Sequence, residues 1–136
     1  MADCIFCKIV SGSVPCAKLL EDEAALAFLD IGPLAPGHAL LIPRKHYETV
    51  DQMPADLAAD LMRHVPALVR AVRDATGASG VNVLQNNGRS ANQLIPHVHV
   101  HIIPRREGDP LRFSWPAGQY GPGELDTMAR RIREKL

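Results

Sequence analysis

The chain has 136 residues, 46% hydrophobic and 22% charged, which predicts one globular domain with a buried core and excludes a disordered chain. Fifteen Lys and Arg residues balance fifteen Asp and Glu residues, so broad electrostatic binding to nucleic acid or to an anionic membrane is not expected. No apolar run approaches the roughly 20 residues that a membrane-spanning helix needs, and a small-molecule partner is expected instead.

The first ten residues lack the uninterrupted apolar segment of a secretory signal, and this favours a cytoplasmic location. In a reducing compartment, Cys4 and Cys7 at C-x-x-C spacing are typical of metal ligands or redox thiols, not of a structural disulfide. A redox motif needs a helix after its first Cys, whereas a start rich in strands is expected here.

The first third of the chain predicts three strands. Two apolar segments, 17–20 and 24–29, are separated by three acidic residues, which is typical of a hairpin with a tight polar turn. Residues 31–37 contain two Pro and two Gly and are expected to be irregular. The apolar run 38–42, which ends at Pro43, predicts the third strand.

The middle of the chain predicts the main helix. Apolar residues recur three or four apart over 54–76, with Gly77 as a stop signal and a break expected near 62–65 because Pro66 lacks an N–H. Strands at 81–84 and 97–103 and a short C-terminal helix at 124–136 follow. The predicted class is α+β, an antiparallel sheet of about five strands with one long helix packed on it.

Segment 97–103 carries a His at every second position, with Val or Ile between. Side chains alternate across a strand, so the three imidazoles share one face and the apolar residues fill the opposite, core-facing side. A polar exposed face and a three-His catalytic zinc site are the alternative interpretations. The three imidazoles belong to His97, His99 and His101, and the apolar residues are Val98, Val100 and Ile102.

The loop before this segment, residues 86–93, is rich in small and amide side chains. Free backbone N–H groups in such a loop form a concavity that binds anions, and Asn and Gln add further donors. Most polar loops are only connections, but this one joins the His-rich segment directly. A phosphate-binding loop is therefore the hypothesis.

Residues 97–103 match the signature His-φ-His-φ-His-φ-φ of the histidine-triad (HIT) family at every position, where φ is hydrophobic. The chain resembles this family from Cys4 to Arg105. The resemblance implies one HIT domain over residues 1–136, with a matched core at about 4–105, a C-terminal tail at 106–136, and a homodimer. The other matching segments are Ile5-Phe6, Lys8-Ile9, Phe28-Leu29-Asp30-Ile31, Pro36-Gly37-His38, Pro43-Arg44-Lys45-His46 and Pro104-Arg105.

The resemblance also implies an activity, cleavage of the α-phosphate bond of nucleoside phosphoramidates or related nucleotide conjugates. The nucleophile would be His99, through a nucleotidyl-histidine intermediate, with no cofactor required for catalysis. Ile5-Phe6 and Trp115-Pro116 favour the Hint-like branch. The alternatives are a dinucleoside polyphosphate hydrolase, a non-catalytic nucleotide-binding protein, and a zinc-dependent hydrolase that uses the triad as ligands.

Site residues are carried over by the same resemblance. It implies that His101 and Asn86 lie at the phosphate oxygens, with Gln93 backing the same site and His38 close to the triad. Asp30 would bridge the ribose hydroxyls, its alternative being a turn cap, and apolar residues would contact a purine base. These apolar residues are Ile5, Phe6, Ile9, Phe28, Ile31 and Leu40, of which Ile9 and Leu40 could equally belong to the core.

Some bacterial-type members resemble this chain in carrying a structural Zn²⁺ on two N-terminal Cys, the His of the Pro-x-x-His segment and the first triad His. The corresponding residues here are Cys4, Cys7, His46 and His97.

The chain departs from the family pattern just before the triad. Many members have Gly, Gln and then Ser or Thr, whereas this chain has Asn92-Gln93-Leu94 and so lacks a hydroxyl near the leaving group. Asn tolerates the left-handed backbone that Gly allows, so the loop shape is expected to survive.

Overall fold

The computed structural model describes residues 3–136, in which five strands form one antiparallel sheet with the order β1-β2-β3-β5-β4. This confirms the predicted α+β class and strand number. The strands are β1 Lys18–Glu21, β2 Ala25–Leu29, β3 Ala39–Pro43, β4 Gly80–Gln85 and β5 Val100–Arg105. The helices are α1 Ile5–Val10, α2 Ala55–Met62, α3 Val65–Thr76 and α4 Glu124–Arg133, with short 3₁₀ turns at Val50–Gln52 and Arg89–Ala91.

The predicted N-terminal hairpin is confirmed by the antiparallel pairing of β1 with β2. Its turn is held by Asp22, whose Oδ1 accepts hydrogen bonds of 2.8 Å from the N–H groups of Ala24 and Ala25. The other carboxylate oxygen lies 2.7 Å from Nε2 of His64, the residue that precedes α3. Asp22 therefore links the hairpin turn to the start of α3.

The long helical segment is divided at the predicted place. α2 ends at Met62 and α3 begins at Val65, with Pro66 in its first turn, where the missing N–H removes no helical hydrogen bond. α3 ends at Gly77, whose φ of +65° is a left-handed conformation that glycine adopts without steric cost.

The two faces of the sheet pack against different partners, because successive side chains of a strand point to opposite sides. One face packs against α2 and α3, and its buried residues include Ala27, Leu41, Val98, Val100 and Ile102. The last three confirm that the apolar residues of the His-rich segment face the core. The other face packs against α1 and carries the second buried cluster, Phe6, Leu26, Phe28, Leu40 and Ile42.

The strand predicted over 97–103 begins later, at Val100. Residues 97 and 98, which lie just upstream, hydrogen-bond outside the sheet ladder: the N–H of His97 donates to Ile95 O at 2.8 Å and that of Val98 to Tyr47 O at 2.7 Å. His97 and His99 therefore lie in an irregular segment, although the alternation of side chains continues through it.

The N-terminus is the main departure from the expected architecture. A helix, α1, follows Cys4 where a strand-rich start was expected, so that argument against a redox motif does not hold. Phe6 of α1 is buried and packs edge-on against Phe28, with ring centroids 5.8 Å apart. Packing of this kind overrides the low helix propensity of the β-branched residues in the segment.

The C-terminal helix α4 contains no buried residue. Its apolar side chains Leu125, Met128 and Ile132 are 60%, 40% and 55% exposed, and Trp115 in the segment before it is 82% exposed. Among residues 3–136, no helix has the length and apolar character needed to cross a membrane.

Candidate active site

A pocket of about 400 Å³ opens on the α1 face of the sheet. Its walls are mainly apolar, and its polar side chains are those of Asp30, Asn92, His99 and His101, with Cys16 also in the lining. All the residues predicted to contact the nucleotide line this pocket: Ile5, Phe6, Ile9, Phe28, Asp30, Ile31 and Leu40.

Sequence reasoning missed part of the lining. Val14, Pro15 and Cys16 approach the pocket from the irregular segment between α1 and β1, where no periodic pattern marks them. Leu94, at 87% exposure, and Ile95 line it from the loop that precedes the triad. Exposed apolar side chains at a pocket rim are a signal only once the fold is known.

His99 is 6% exposed, and its tautomer is fixed by the backbone. Nδ1 lies 2.6 Å from the carbonyl oxygen of His97. Since a carbonyl only accepts, Nδ1 carries the proton and Nε2 keeps its lone pair. Burial lowers the pKa of His99 below its ordinary value, outweighing the opposite effects of the His97 carbonyl and the Asp30 charge. The ring is therefore neutral at pH 7, with a free nitrogen lone pair.

His101 receives its tautomer through a chain of two hydrogen bonds. The N–H of Leu34 donates to Nδ1 of His38 at 3.1 Å, so the proton of the neutral His38 ring is on Nε2. That Nε2 lies 2.9 Å from Nδ1 of His101, which must accept, and Nε2 of His101 consequently carries a proton. Burial lowers the pKa of His38 and, with the neighbouring His99 and His38, lowers that of His101 to about 4.

Asp30 caps a turn, which was the alternative to ribose binding, and it also lines the pocket. Its Oδ1 accepts the N–H of Gly32 at 2.8 Å, and Oδ2 lies 3.8 Å from Nε2 of His38. Asp30, His38 and His101 are close enough to suggest a second metal site. However, the Leu34 hydrogen bond places a proton on His38 Nε2, where a metal would need a lone pair.

The loop 86–93 differs from the free anion cradle expected. The N–H groups of Gly88, Ala91, Asn92 and Gln93 all donate within the loop, to Gln93 Oε1 and to the carbonyls of Gly88 and Arg89. Asn92 has a φ of +67°, as expected for a residue in the position of the family's Gly. These internal bonds make the loop rigid but leave those N–H groups unavailable to phosphate.

Gln93 and Asn86 lie outside the lining of the pocket in the described part of the chain. Gln93 is 6% exposed and uses both amide atoms, accepting from Gly88 N–H at 2.7 Å and donating to Glu48 O and Ile95 O at 2.6 and 3.1 Å. Gln93 thus holds the loop through these hydrogen bonds and does not line the pocket. The side chain of Asn86 makes one weak contact, 3.5 Å from Nδ2 to Asn92 O.

Next to the pocket, Cys4, Cys7, His46 and His97 converge. Their candidate ligand atoms, the two Sγ and the two Nδ1, all lie within 4.8 Å of one another. His97 Nδ1 lies 3.4 Å from Cys4 Sγ and 3.2 Å from His46 Nδ1, and Cys7 Sγ lies 3.3 Å from His46 Nδ1. The four residues predicted as zinc ligands are therefore brought together as one group.

The spacing of this cluster fits a tetrahedral zinc ion. Zn–S bonds of about 2.3 Å and Zn–N bonds of about 2.0 Å place the ligand atoms of a tetrahedron about 3.3 to 3.8 Å apart. The ring of His97 is already oriented, because its Nε2 lies 2.9 Å from Pro43 O and donates to it, leaving Nδ1 for a metal. Burial and the Cys4 thiol raise the pKa of Cys7, an effect that a dication would reverse.

Comparison with known proteins identifies the family of this chain. The model of the HIT domain family matches residues 11–108, and the chain belongs to this family. The adenosine 5'-monophosphoramidase hnt1 of Schizosaccharomyces pombe is 44% identical over 134 residues, which cover 98% of each chain.

Solved structures show the same fold. A HIT family protein from Bacillus subtilis superposes with a TM-score of 0.93 at 42% identity, covering 98% of this chain and 97% of that one. A zinc-bound histidine triad family protein from Mycobacterium smegmatis gives a TM-score of 0.77 at 34% identity and covers 99% of each chain.

Proposed function

We propose that the protein is a nucleotide hydrolase that cleaves the bond between the α-phosphorus and the leaving group of nucleoside phosphoramidates. The observation that carries this proposal is the arrangement of two neighbouring rings. His99 has a lone pair on Nε2, and His101 has a proton on Nε2, with the ring centroids 4.9 Å apart at one apolar pocket. A nucleophile beside a hydrogen-bond donor is the combination that phosphorus substitution requires.

In the first step, Nε2 of His99 attacks the phosphorus, a P–N bond to the imidazole forms, and the bond to the leaving amine breaks. The amine leaves with a proton gained from solvent. His99 then carries a positive charge, which its Nδ1–H bond to His97 O stabilises. In the second step water attacks the phosphorus, a P–O bond forms, the P–N bond to His99 breaks, and a proton of the water passes to solvent. The nucleoside monophosphate is released and His99 is neutral again.

His101 would donate a hydrogen bond from its Nε2–H to a phosphate oxygen as charge develops there. The Leu34–His38–His101 chain keeps this donor in place before substrate arrives, so no reorganisation is needed during the reaction. Asn86 remains a candidate for a second contact with phosphate. Gln93 would act indirectly, by holding the loop.

The remainder of the pocket suits a nucleoside. An apolar slot next to α1 would take a purine base, with Phe6 and Phe28 buried at 4% and 3% exposure. Oδ2 of Asp30 is available for the ribose hydroxyls, because Oδ1 is engaged by Gly32 N–H.

The charge of the lining favours phosphoramidates over dinucleoside polyphosphates. Within the described residues, no Lys or Arg side chain lines the pocket. A polyphosphate bridge carries several negative charges that need cationic partners, whereas the phosphorus of a phosphoramidate carries a single charge, which two or three hydrogen-bond donors can accommodate. The relative from Schizosaccharomyces pombe, named an adenosine monophosphoramidase, supports the same choice.

Zinc is the metal that we assign to the group of Cys4, Cys7, His46 and His97. Two thiolates and two imidazoles at tetrahedral spacing form a closed site with no position for substrate, which is typical of structural zinc. The zinc-bound neighbour supports this assignment. Zinc would tie α1 to the segment that precedes β5, and it would take no direct part in the bonds that form and break.

A homodimer in the cytoplasm completes the proposal. The exposed apolar residues of α4 and Trp115 find no partner within the described chain, and a second copy would cover them. The three cysteines are free, as expected in a reducing compartment.

The test compares turnover of an adenosine phosphoramidate with that of a diadenosine polyphosphate, for the natural chain and for His99→Ala. Faster turnover of the phosphoramidate is expected, with a loss of several orders of magnitude in His99→Ala and unchanged AMP affinity. Protein quenched during turnover should show an acid-labile nucleoside monophosphate adduct on the peptide that contains His99. His64→Ala, which removes an imidazole outside the pocket, serves as the control. Retained activity in His99→Ala, or an adduct on His38, would refute the mechanism.

A further inference from the structure

One peptide unit, between His97 and Val98, connects the metal cluster to the nucleophile. Its carbonyl oxygen accepts the Nδ1–H of His99 at 2.6 Å, and its N–H donates to Tyr47 O at 2.7 Å. The carbonyl of this unit belongs to His97, a ligand residue, and its N–H binds Tyr47, which directly follows the ligand residue His46. Both sides of the unit therefore depend on the cluster.

We propose that the metal cluster positions the nucleophile: metal held by Cys4, Cys7, His46 and His97 fixes the 97–98 peptide and thereby the orientation and tautomer of His99. The inference rests on the proposed role of His99 and on metal binding at the cluster. The four ligands become positioning residues, which act through His97 and touch no substrate.

The local backbone explains why the metal is needed for this purpose. β5 begins at Val100, so the 97–98 peptide unit lies outside the sheet ladder. The ring of His97 is fixed at Nε2 by Pro43 O and at Nδ1 by the cluster. Without metal, two Nδ1 atoms 3.2 Å apart and two nearby thiols would have no cation to hold them together.

A second contact runs through α1. Phe6 lies between the two Cys ligands in the chain, and its ring meets those of His97 and His99 edge-on, at centroid distances of 5.7 and 5.2 Å. Ligation of Cys4 and Cys7 would hold this ring against the side of His99. The nucleophile is thus held at Nδ1 through the peptide and along its ring through Phe6.

His46→Gln is the informative variant, because His46 lies outside the nucleotide pocket, and His64→Gln is its matched control. Imidazole ¹⁵N spectra of the folded proteins report the tautomer of His99 directly, without any turnover. Zinc-loaded natural protein and His64→Gln should show a proton on Nδ1 of His99 only. His46→Gln should show a mixture of tautomers.

Kinetics should change in parallel. In His46→Gln, kcat for the phosphoramidate should fall about 10- to 100-fold, the usual cost of losing a residue that orients a functional group, while the Kd for AMP stays within about threefold. Unchanged His99 resonances in folded, metal-depleted His46→Gln would overturn the proposal. If the protein proved not to be a hydrolase, the proposal about His99 would still be tested, because the tautomer is measured separately.

Cadmium replaces the variant if His46→Gln does not fold. Cd²⁺ is larger than Zn²⁺ and binds the same thiolate and imidazole ligands, so it expands the cluster in the natural chain. The His99 resonances should shift and kcat should fall, with AMP affinity unchanged. Identical His99 resonances and kcat in zinc and cadmium proteins would contradict the coupling.

Discussion

Nε2 of His38 lies 2.9 Å from Nδ1 of His101, and this contact determines which nitrogen of His101 presents a proton to the pocket. His38 is only 2% exposed and receives the Leu34 N–H on its other nitrogen. A buried histidine, His38, thus orients a second histidine, His101. Similar arrangements, in which one side chain fixes the tautomer of the next, recur among enzymes that use imidazole.

Replacement of His38 by Ala should therefore reduce kcat on the order of 10²-fold, since His101 would no longer be fixed as a donor. His38 does not belong to the pocket lining, so the affinity for AMP should change little. Steady-state kinetics and calorimetric binding measure the two quantities. An equal loss of affinity and of kcat would indicate general damage to the pocket, and the proposed relay would then be wrong.

The alternation at 97–103 was predictable because a period of two needs no knowledge of tertiary structure, and the break at Pro66 follows from a missing N–H. The left-handed conformation of Asn92 could likewise be predicted from the residue type alone. α1 was not predictable, because six residues form a helix here through packing of Phe6 and the cluster of Cys and His. The internal bonding of Gln93 was also hidden, since its partners include Glu48, 45 positions away in sequence.

The buried histidines should make stability depend on pH. Burial lowers the folded-state pKa of His38, His99 and His101, the last to about 4, from an ordinary value of 6.5. Between these values the unfolded chain binds more protons than the folded one, so the free energy of unfolding falls as pH drops from about 6.5 towards 4. For His101 alone the loss is at most about 3 kcal/mol.

Chemical denaturation at several pH values measures this loss. His101→Asn is the matched control, because it keeps the metal cluster and removes one partly buried imidazole, so acid release of metal affects both proteins alike. The variant should lose less stability between about pH 6.5 and 4 than the natural chain. Equal losses in both proteins would show that His101 does not titrate as expected.

Zinc should be required for full stability. Purified protein is expected to contain about one zinc per chain, and Cys7→Ser should lower both the metal content and the Tm. Cys16→Ser is the control, because Cys16 is outside the metal cluster. Elemental analysis and thermal unfolding at a fixed protein concentration provide the data. Natural protein that is free of metal and equally stable would exclude the structural role.

The backbone of Asn92 offers a test of the loop that is independent of activity. Its φ of +67° is unfavourable for residues other than Gly and, to a smaller degree, Asn. Asn92→Ala should therefore destabilise the protein by about 1 kcal/mol, whereas Asn92→Gly should be nearly neutral. Thermal unfolding distinguishes the two substitutions. Equal stability of the Ala and Gly variants would mean that the left-handed conformation is not maintained in solution.

Self-association should depend on the C-terminal helix. Leu125, Met128 and Ile132 recur at i, i+3 and i+7, form one apolar stripe on α4 and are at least 40% exposed, so a second copy of the chain is expected to cover them. Sedimentation at micromolar concentration should give a species of twice the 14.8 kDa chain mass. Leu125→Asp should shift the equilibrium to the monomer, because a charge would have to be buried in the interface. Leu136→Asp adds the same charge beyond the end of α4 and should leave the dimer intact. A natural chain that sediments only at 14.8 kDa, or two variants that behave alike, would show that this stripe is not the contact between copies.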